Sequence, residues 1–398
     1  MQAQIRLRTA APLVALFASL SGAAAHAEPA CDDPANLPNP VYLTIGDTQV
    51  NLLKELGKQL RDSESVTLIW RATGSCTNLD TLYGHAKLTG NLSYIPAGYD
   101  PVATPTPPVC TIAAPGVEAD IANSIVFLEG CPSPRPADVV DVLGPVQGFS
   151  FVVPTASSQR AITAEEAYFV FGFGMDGQVA PWLDNKQLFV RPVTKGTIIS
   201  MGASIGVPAA RWRGVQVNLS QDLASMLASS AAPESAIGIL GSEVYDGYRA
   251  TLKALALRAY KQQHAYYPDS TATSFDKRNV RDGHYHMWSY THWLLHVDAQ
   301  GRPVKALARR VVDLIAGNAV QPPPAFEPLA PPVHVGLIPQ CAMKVQRATE
   351  GGDFSLFTPA EPCGCYFEDR VQGTQCKKCV DSSVCGSGLC RHGFCEEH

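Results

Sequence analysis

The sequence predicts an α/β body followed by a small disulfide-rich module. Two observations carry this. Between residues 41 and 77 the chain reads strand, loop, helix, strand, loop, helix, the alternation of an α/β fold. The 12 cysteines are split: Cys31, Cys76, Cys110 and Cys131 lie early, none falls between Cys131 and Cys341, and eight crowd between Cys341 and Cys395. That last density, about 14% of residues, is that of a disulfide scaffold. The cysteine-free middle must fold by burial, and a 46% hydrophobic content suffices for it.

The elements follow in order. Residues 41–45 (VYLTI) form a buried strand ending in the turn Gly46-Asp47-Thr48. In 49–62, Val50, Leu52, Leu53, Leu56 and Leu60 recur at helical spacing. Residues 66–72 (VTLIWRA) are a second strand, and Thr73–Thr77 (TGSCT) opens the next helix. Residues 86–117 combine a hairpin around Thr89-Gly90 with the run PVATPTPPVC and read as an irregular insertion. Strands are expected at 119–128 and, after a turn at Gly144-Pro145, at 147–153. A helix starts at Thr163, with Glu166 completing a capping box. A strand at 188–191, helices near 197–205 and 219–229, a strand at 236–240, a strand or helix start at 252–258 and a helix at 302–316 follow. Residues 318–338, rich in proline, read as a linker to the cysteine tail.

Arg6 and Arg8, the apolar run 10–25 and Ala25-His26-Ala27 make residues 1–27 a secretion signal. Its loss takes the net charge from −5 to −7. A periplasmic or secreted protein is therefore expected, with disulfides as the fate of its cysteines. Eight tail cysteines allow 105 pairings, and the sequence selects none. The acidic balance leaves no footprint for nucleic acid. No nucleophile elbow, zinc-protease helix, phosphate-binding P-loop or dinucleotide fingerprint is present, so neither an enzyme nor a cofactor is expected.

Loops ending in Gly, Ser or Thr at helix starts expose unpaired N–H groups, a ready oxyanion site. Asp47 and Thr48 stand at one such start, Gly74, Ser75 and Thr77 at a second, and Lys195, Gly196 and Thr197 at a third. Arg191 adds a planar charged fork. The plain alternatives are a strand-to-helix turn for Gly74-Ser75, helix caps for Thr197 and Asp47, and a surface charge for Arg191. A rival site is His284, His286, His292 and His296. His284 and His286 would share a strand face, and His292 and His296 would lie one helical turn apart, suited to Zn²⁺ or Cu²⁺. Packing of a Trp- and Tyr-rich wall is the plain reading of that segment.

VYLTIGDT, VTLIWRATGSCT, the helix AEEAYFVFGFG with Trp182 beyond it, RPVTKGT and ESAIGIL, in this order, resemble the type 2 periplasmic substrate-binding proteins of phosphate ABC transporters. The resemblance covers roughly residues 40–316. It implies a two-lobed periplasmic-binding-protein type 2 fold, with 38–147 and 245–318 as lobe I and 148–244 as lobe II, then a linker at 319–340 and a tail at 341–398. It implies hinge closure on a small anion and delivery to an ABC permease; a monomer is expected, and the cysteine tail adds a cell-envelope protein as the alternative partner. Two positions depart from the family. Its proton-accepting acid falls at Ile125 in Asp120–Ile125, and its Ser-Gly-Thr is Lys195-Gly196-Thr197. A more highly charged or organic anion, or a site without a ligand, are the consequences to weigh.

Overall fold

The computed structural model describes residues 28–396, so the signal segment 1–27 lies outside the described residues. The first half of the body contains β1 (Pro40–Gly46), α1 (Val50–Glu64), β2 (Thr67–Thr73), α2 (Ser75–Tyr83), β3 (Lys87–Tyr94), β4 (Val109–Glu118) and β5 (Ile121–Ser124). β6 (Val139–Pro154) follows. The second half holds β7 (Ala161–Thr163), α3 (Ala164–Phe173), β8 (Leu188–Val190), α4 (Gly196–Ile205), β9 (Val215–Gln216), α5 (Ser220–Ala228), β10 (Ile237–Gly241), α6 (Ser242–Tyr245), β11 (Leu252–Ala254) and β12 (Ala256–Arg258). Then come α7 (Arg278–Arg281), β13 (Trp288–His296) and α8 (Ala306–Ala316). The chain ends with α9 (Ala330–His334), β14 (Val345–Gln346), β15 (Ser355–Leu356), α10 (Gly364–Val371), β16 (Leu389–Arg391) and β17 (Phe394–Glu396).

One sheet runs β4-β3-β2-β1-β5-β13-β6-β10-β8-β9, with β11 also on β6. β6 joins the two halves. Up to Gly148 it pairs antiparallel with β13, and from Phe149 it pairs with β10. β1, β2 and β5 are mutually parallel in the first half, as are β8, β9 and β10 in the second. Leu52, Leu53, Leu56 and Leu60 of α1 pack with Val311, Val312 and Ile315 of α8 on one face of the first half-sheet. α2 covers the other face, where it packs with residues of β3 and β4 and where Cys31–Cys110 and Cys76–Cys131 are buried. α3 begins as expected: Thr163 accepts from the Glu166 amide at 3.0 Å, and Glu166 returns a bond to the Thr163 amide at 2.8 Å.

Three local readings are corrected. Residues 86–117 are a regular hairpin, whose strands bury Leu88, Leu92, Cys110 and Ile112. Thr89-Gly90 is not its turn. Gly90, at φ +72°, sits at a register shift, an irregularity that glycine's left-handed backbone permits. Gly144-Pro145 lies within β6 instead of before it. A side chain at 144 would meet Thr291 and Trp293, so the glycine serves cross-strand packing.

The proline-rich segment is packed, not extended. Ile338 exchanges backbone hydrogen bonds with Val146 at 2.7 and 2.9 Å, and Leu337 enters the α1–α8 core. The tail is likewise part of the body: Cys363, Tyr366, Phe367 and Phe394 join the core of the second half. Its cysteines pair as Cys341–Cys363, Cys365–Cys376, Cys379–Cys390 and Cys385–Cys395. The Cys376-x-x-Cys379 run is therefore neither a redox pair nor half a metal site. Among the described residues no helix is long and apolar enough to cross a membrane.

Candidate functional site

The parallel strands of both halves end at one shared boundary, the position at which open α/β sheets bind their ligands. β1 ends at Gly46 and delivers Asp47 on a 3-10 turn, Asp47–Gln49. β2 delivers Thr73 and Gly74, and β5 delivers Ile125. From the second half, β8 delivers Arg191, and Asn218 and Ser220 follow β9. Glu243 follows β10.

These residues converge on the Asp47 carboxylate. Arg191, 1% exposed, donates from Nη2 to Asp47 Oδ1 at 2.7 Å and to the Asn218 carbonyl at 2.8 Å, and from Nη1 to Ser220 Oγ. Lys195 Nζ reaches the same Asp47 oxygen at 3.2 Å and the Thr73 carbonyl at 2.6 Å. The Ser220 amide donates to Asp47 Oδ2 at 2.9 Å. Burial alone would raise the Asp47 carboxyl, but Arg191, Lys195 and the Ser220 amide hold it below its usual value. Its stabilising contribution is thus present above the unfolded carboxyl value and is lost as pH falls through the lower folded one. Burial pulls Lys195 down, with Asp47 opposing and Arg191 adding to the effect.

The halves meet closely here. A side chain at Gly74 would lie 2.6 Å from the Thr194 carbonyl, and one at Gly196 would strike Ile125 and the Ser75 hydroxyl. Ile125 therefore packs against the backbone of the third helix start. Ser75 spends its hydroxyl within the first half, accepting from the Ile125 amide at 3.1 Å. Thr48 is buried and accepts from Gln49. Thr197 is buried, and its hydroxyl has no partner among the described residues. Thr77 is exposed on the first turn of α2, its carbonyl bonded to Thr81. Asp47, Arg191 and Lys195 thus come together directly, with Gly74, Ser75 and Gly196 forming the close contact beside them.

Gln49, Gln147, Asn218, Ser220 and Glu243 were not singled out from sequence. Gln49 donates to Gln147 at 2.7 Å, across residues far apart in the chain. Glu243 carried the one readable signal, an acid just beyond the predicted strand 236–240. Its carboxyl is buried, and neither oxygen has a hydrogen-bond partner among the described residues. Burial first, then Asp47 and Asp246, pushes it well above the usual glutamate value, with its own backbone amide and Arg191 opposing. A raised folded value means that stability falls as pH rises above the unfolded value of about 4.5. Glu243→Gln is accordingly expected to raise Tm more at pH 8 than at pH 5. Thermal unfolding at both checks this, and an equal or absent gain contradicts it.

The four histidines do not assemble. His284 is exposed beside Asp282, in a segment that is not strand. His286 packs edge-on against Phe354. His292 is buried against Asp141 on β13, and His296 stacks on His85 near Asp138. The helical turn expected between His292 and His296 is extended strand, which separates them by roughly 13 Å. The histidine near a possible ligand set, His296, has His85 and Asp138 as companions instead.

Two half-sheets bridged by β6, with the parallel strand ends of each facing one crevice, define the two-lobed type 2 periplasmic-binding-protein fold. One of the following solved structures shares this fold over most of the chain. A protein from Clostridium perfringens, described as a phosphate ABC transporter substrate-binding protein with bound phosphate, aligns over 76% of this chain and 99% of its own at 11% identity, with a TM-score of 0.53. An ABC-type phosphate transport receptor from Vibrio cholerae aligns over 75% and 99% at 13% identity, with a TM-score of 0.47. The reduced OxyR regulatory domain from Pseudomonas aeruginosa aligns over 69% and 94% at 10% identity, with a TM-score of 0.38. No protein-family model matches the chain, and no curated protein matches it in sequence. At these identities the likeness is one of fold.

Proposed function

We propose that the chain is an exported solute-binding protein that captures a small oxyanion in its interlobe crevice. Arg191, Lys195 and the Ser220 amide hold the solute, which displaces Asp47 as the resident anion. The observation that carries this reading is the Asp47 carboxylate itself. It occupies a pocket of two cations and an amide N–H, so the donors are already spaced for a planar or tetrahedral oxyanion. The candidate solutes are phosphate, a phosphonate or an organic carboxylate. Disulfides in both the body and the tail support export. Delivery to a membrane permease is the step that the family resemblance adds.

Displacing Asp47 costs the solute affinity. Calorimetric titration with phosphate is therefore expected to show binding about 100-fold tighter or more in Asp47→Ala than in the wild type, corresponding to about 2.7 kcal/mol or more. Adding Arg191→Ala to that variant is expected to abolish it. A folded Asp47→Ala that gives no heat with phosphate, sulfate or methylphosphonate overturns the reading. That outcome would favour a fold retained without a ligand, for which the close contacts at Gly74 and Gly196 speak.

A further inference from the structure

Two histidines and an aspartate meet on the first half, at the end away from Asp47. α2 starts with Ser75 beside the boundary and ends at Tyr83, and the turn beyond it carries His85. β13 ends in His296, which pairs with Val139 of β6, so Asp138 stands next to it. The Val297 amide donates to the Asp138 carbonyl at 2.7 Å and fixes that neighbour. One nitrogen or carboxylate oxygen from each of His85, Asp138 and His296 lies within 4.8 Å of the other two. Solvent reaches the group: the His85 and Asp138 side chains are 52% and 53% exposed, and that of His296 is 13% exposed.

The far nitrogen of each ring is already held. His296 Nε2 lies 3.1 Å from the Leu82 carbonyl, and a carbonyl only accepts, so Nε2 carries the hydrogen. In the neutral ring Nδ1 is then a lone pair, and it faces Asp138 Oδ2 at 3.2 Å. Two acceptors so placed need a cation between them, either a proton or a metal ion. His85 Nδ1 donates to Glu118 Oε2 at 3.1 Å, which leaves Nε2 as its free lone pair. Lys87 holds the other Glu118 oxygen at 2.7 Å, so that carboxylate orients the ring and is not itself free. A carboxylate or a backbone carbonyl on the far nitrogen is the usual support of a metal-binding histidine. The Leu82 carbonyl also accepts from the His85 amide at 3.1 Å, so one group positions both histidines. It belongs to the carbonyl end of α2, which favours a cation.

We propose that His85, Asp138 and His296 form a binding site for a divalent transition-metal ion of the Zn²⁺ type. The inference does not rest on the anion reading, because the site uses none of the groups around Asp47. Two imidazoles select against Mg²⁺ and Ca²⁺, which take oxygen donors. Three protein donors leave the fourth tetrahedral position to water. The rings stack with centroids 4.4 Å apart, and His85, the more exposed of the two, tilts to bring Nε2 onto the ion. The bound metal ties the end of α2 to the paired strands β6 and β13.

The test is calorimetric titration of the whole chain, made without a histidine tag and stripped with a chelator, with Zn²⁺ and with Mg²⁺. The expected result is saturable binding of about one Zn²⁺ per chain, a higher Tm with Zn²⁺, and no binding of Mg²⁺. His85→Asn and Asp138→Asn are each expected to weaken Zn²⁺ binding at least about 10-fold and to lose the Tm shift. Asparagine suits the left-handed backbone of residue 85, at φ +50°, and both positions are exposed, so the metal-free variants should unfold as the wild type does. His284→Ala, at an exposed histidine outside the group, should bind as the wild type does. Absence of saturable Zn²⁺ binding overturns the proposal. So does wild-type affinity in folded His85→Asn and Asp138→Asn, or loss of binding in His284→Ala.

Discussion

Asp47→Ala is expected to lose about 3–5 kcal/mol of stability in anion-free buffer, the cost of leaving a buried charge without its partner. Arg191 and Lys195 are 1% and 6% exposed, so solvent cannot take the place of the carboxylate. The Asn218 and Thr73 carbonyls and the Ser220 hydroxyl remain as partners but bring no negative charge. Phosphate at about 100 times its dissociation constant should restore about 2.7 kcal/mol. The measurement is Tm with and without phosphate. The wild type, whose cations are already paired, should shift much less. A variant that is destabilised but insensitive to phosphate, sulfate and methylphosphonate would mean that Asp47 is a structural ion-pair partner only.

Phe367→Ala is expected to cost about 3–5 kcal/mol and to destabilise the whole body, as removal of a large side chain from a packed core does. Phe367 is fully buried among residues of the second half, with the Arg281 guanidinium 5.2 Å from its ring. Arg281 in turn pairs with Glu368 at 2.9 Å. A second tail residue, Glu350, accepts from the Phe127 amide at 3.1 Å, from Ser200 at 2.6 Å and from Ser289 at 3.0 Å. It thereby touches the first half, α4 of the second half and β13. Calorimetry should record one cooperative transition for body and tail, moved down as a unit in Phe367→Ala. A separate low-temperature transition, with the body's Tm unchanged, would restore the picture of an appended module on a linker. The same contacts bear on the hinge closure that the family resemblance implies. The lobes cannot part here without releasing Glu350, which bonds to Phe127 and Ser289 on one side and Ser200 on the other.

The sequence made local structure legible where one period or one cap decided it. α1 is written in the spacing of its leucines, and α3 in the reciprocal bonds of Thr163 and Glu166. Readings failed where a residue's local preference served a distant contact. Gly144-Pro145 has turn chemistry, yet it lies in β6 because Trp293 needs the space above Gly144. The prolines of 101–108 form a hairpin loop, and they hid the alternation of Cys110 and Ile112 that follows. The tail has few apolar residues, but Cys363, Tyr366 and Phe367 fall together and are enough to seat it.

The candidate site shows the same division. Its helix starts, Arg191 and Lys195 could be found from glycines and hydroxyl residues next to predicted strands. That Asp47 would be the group they hold could not, because the pair spans 144 residues and depends on how the lobes meet. Glu243 was hidden for a further reason: an acid after a buried strand normally reaches solvent, and this one packs against the segment around Gly336, far along the chain.

The central claim is that Asp47 occupies an oxyanion site. Crystals of Asp47→Ala soaked in phosphate test it most directly. The predicted result is a tetrahedral anion bonded to Arg191, Lys195 and the Ser220 amide, where the carboxylate stood. A crevice without an anion, with Arg191 and Lys195 turned to other partners, would contradict it.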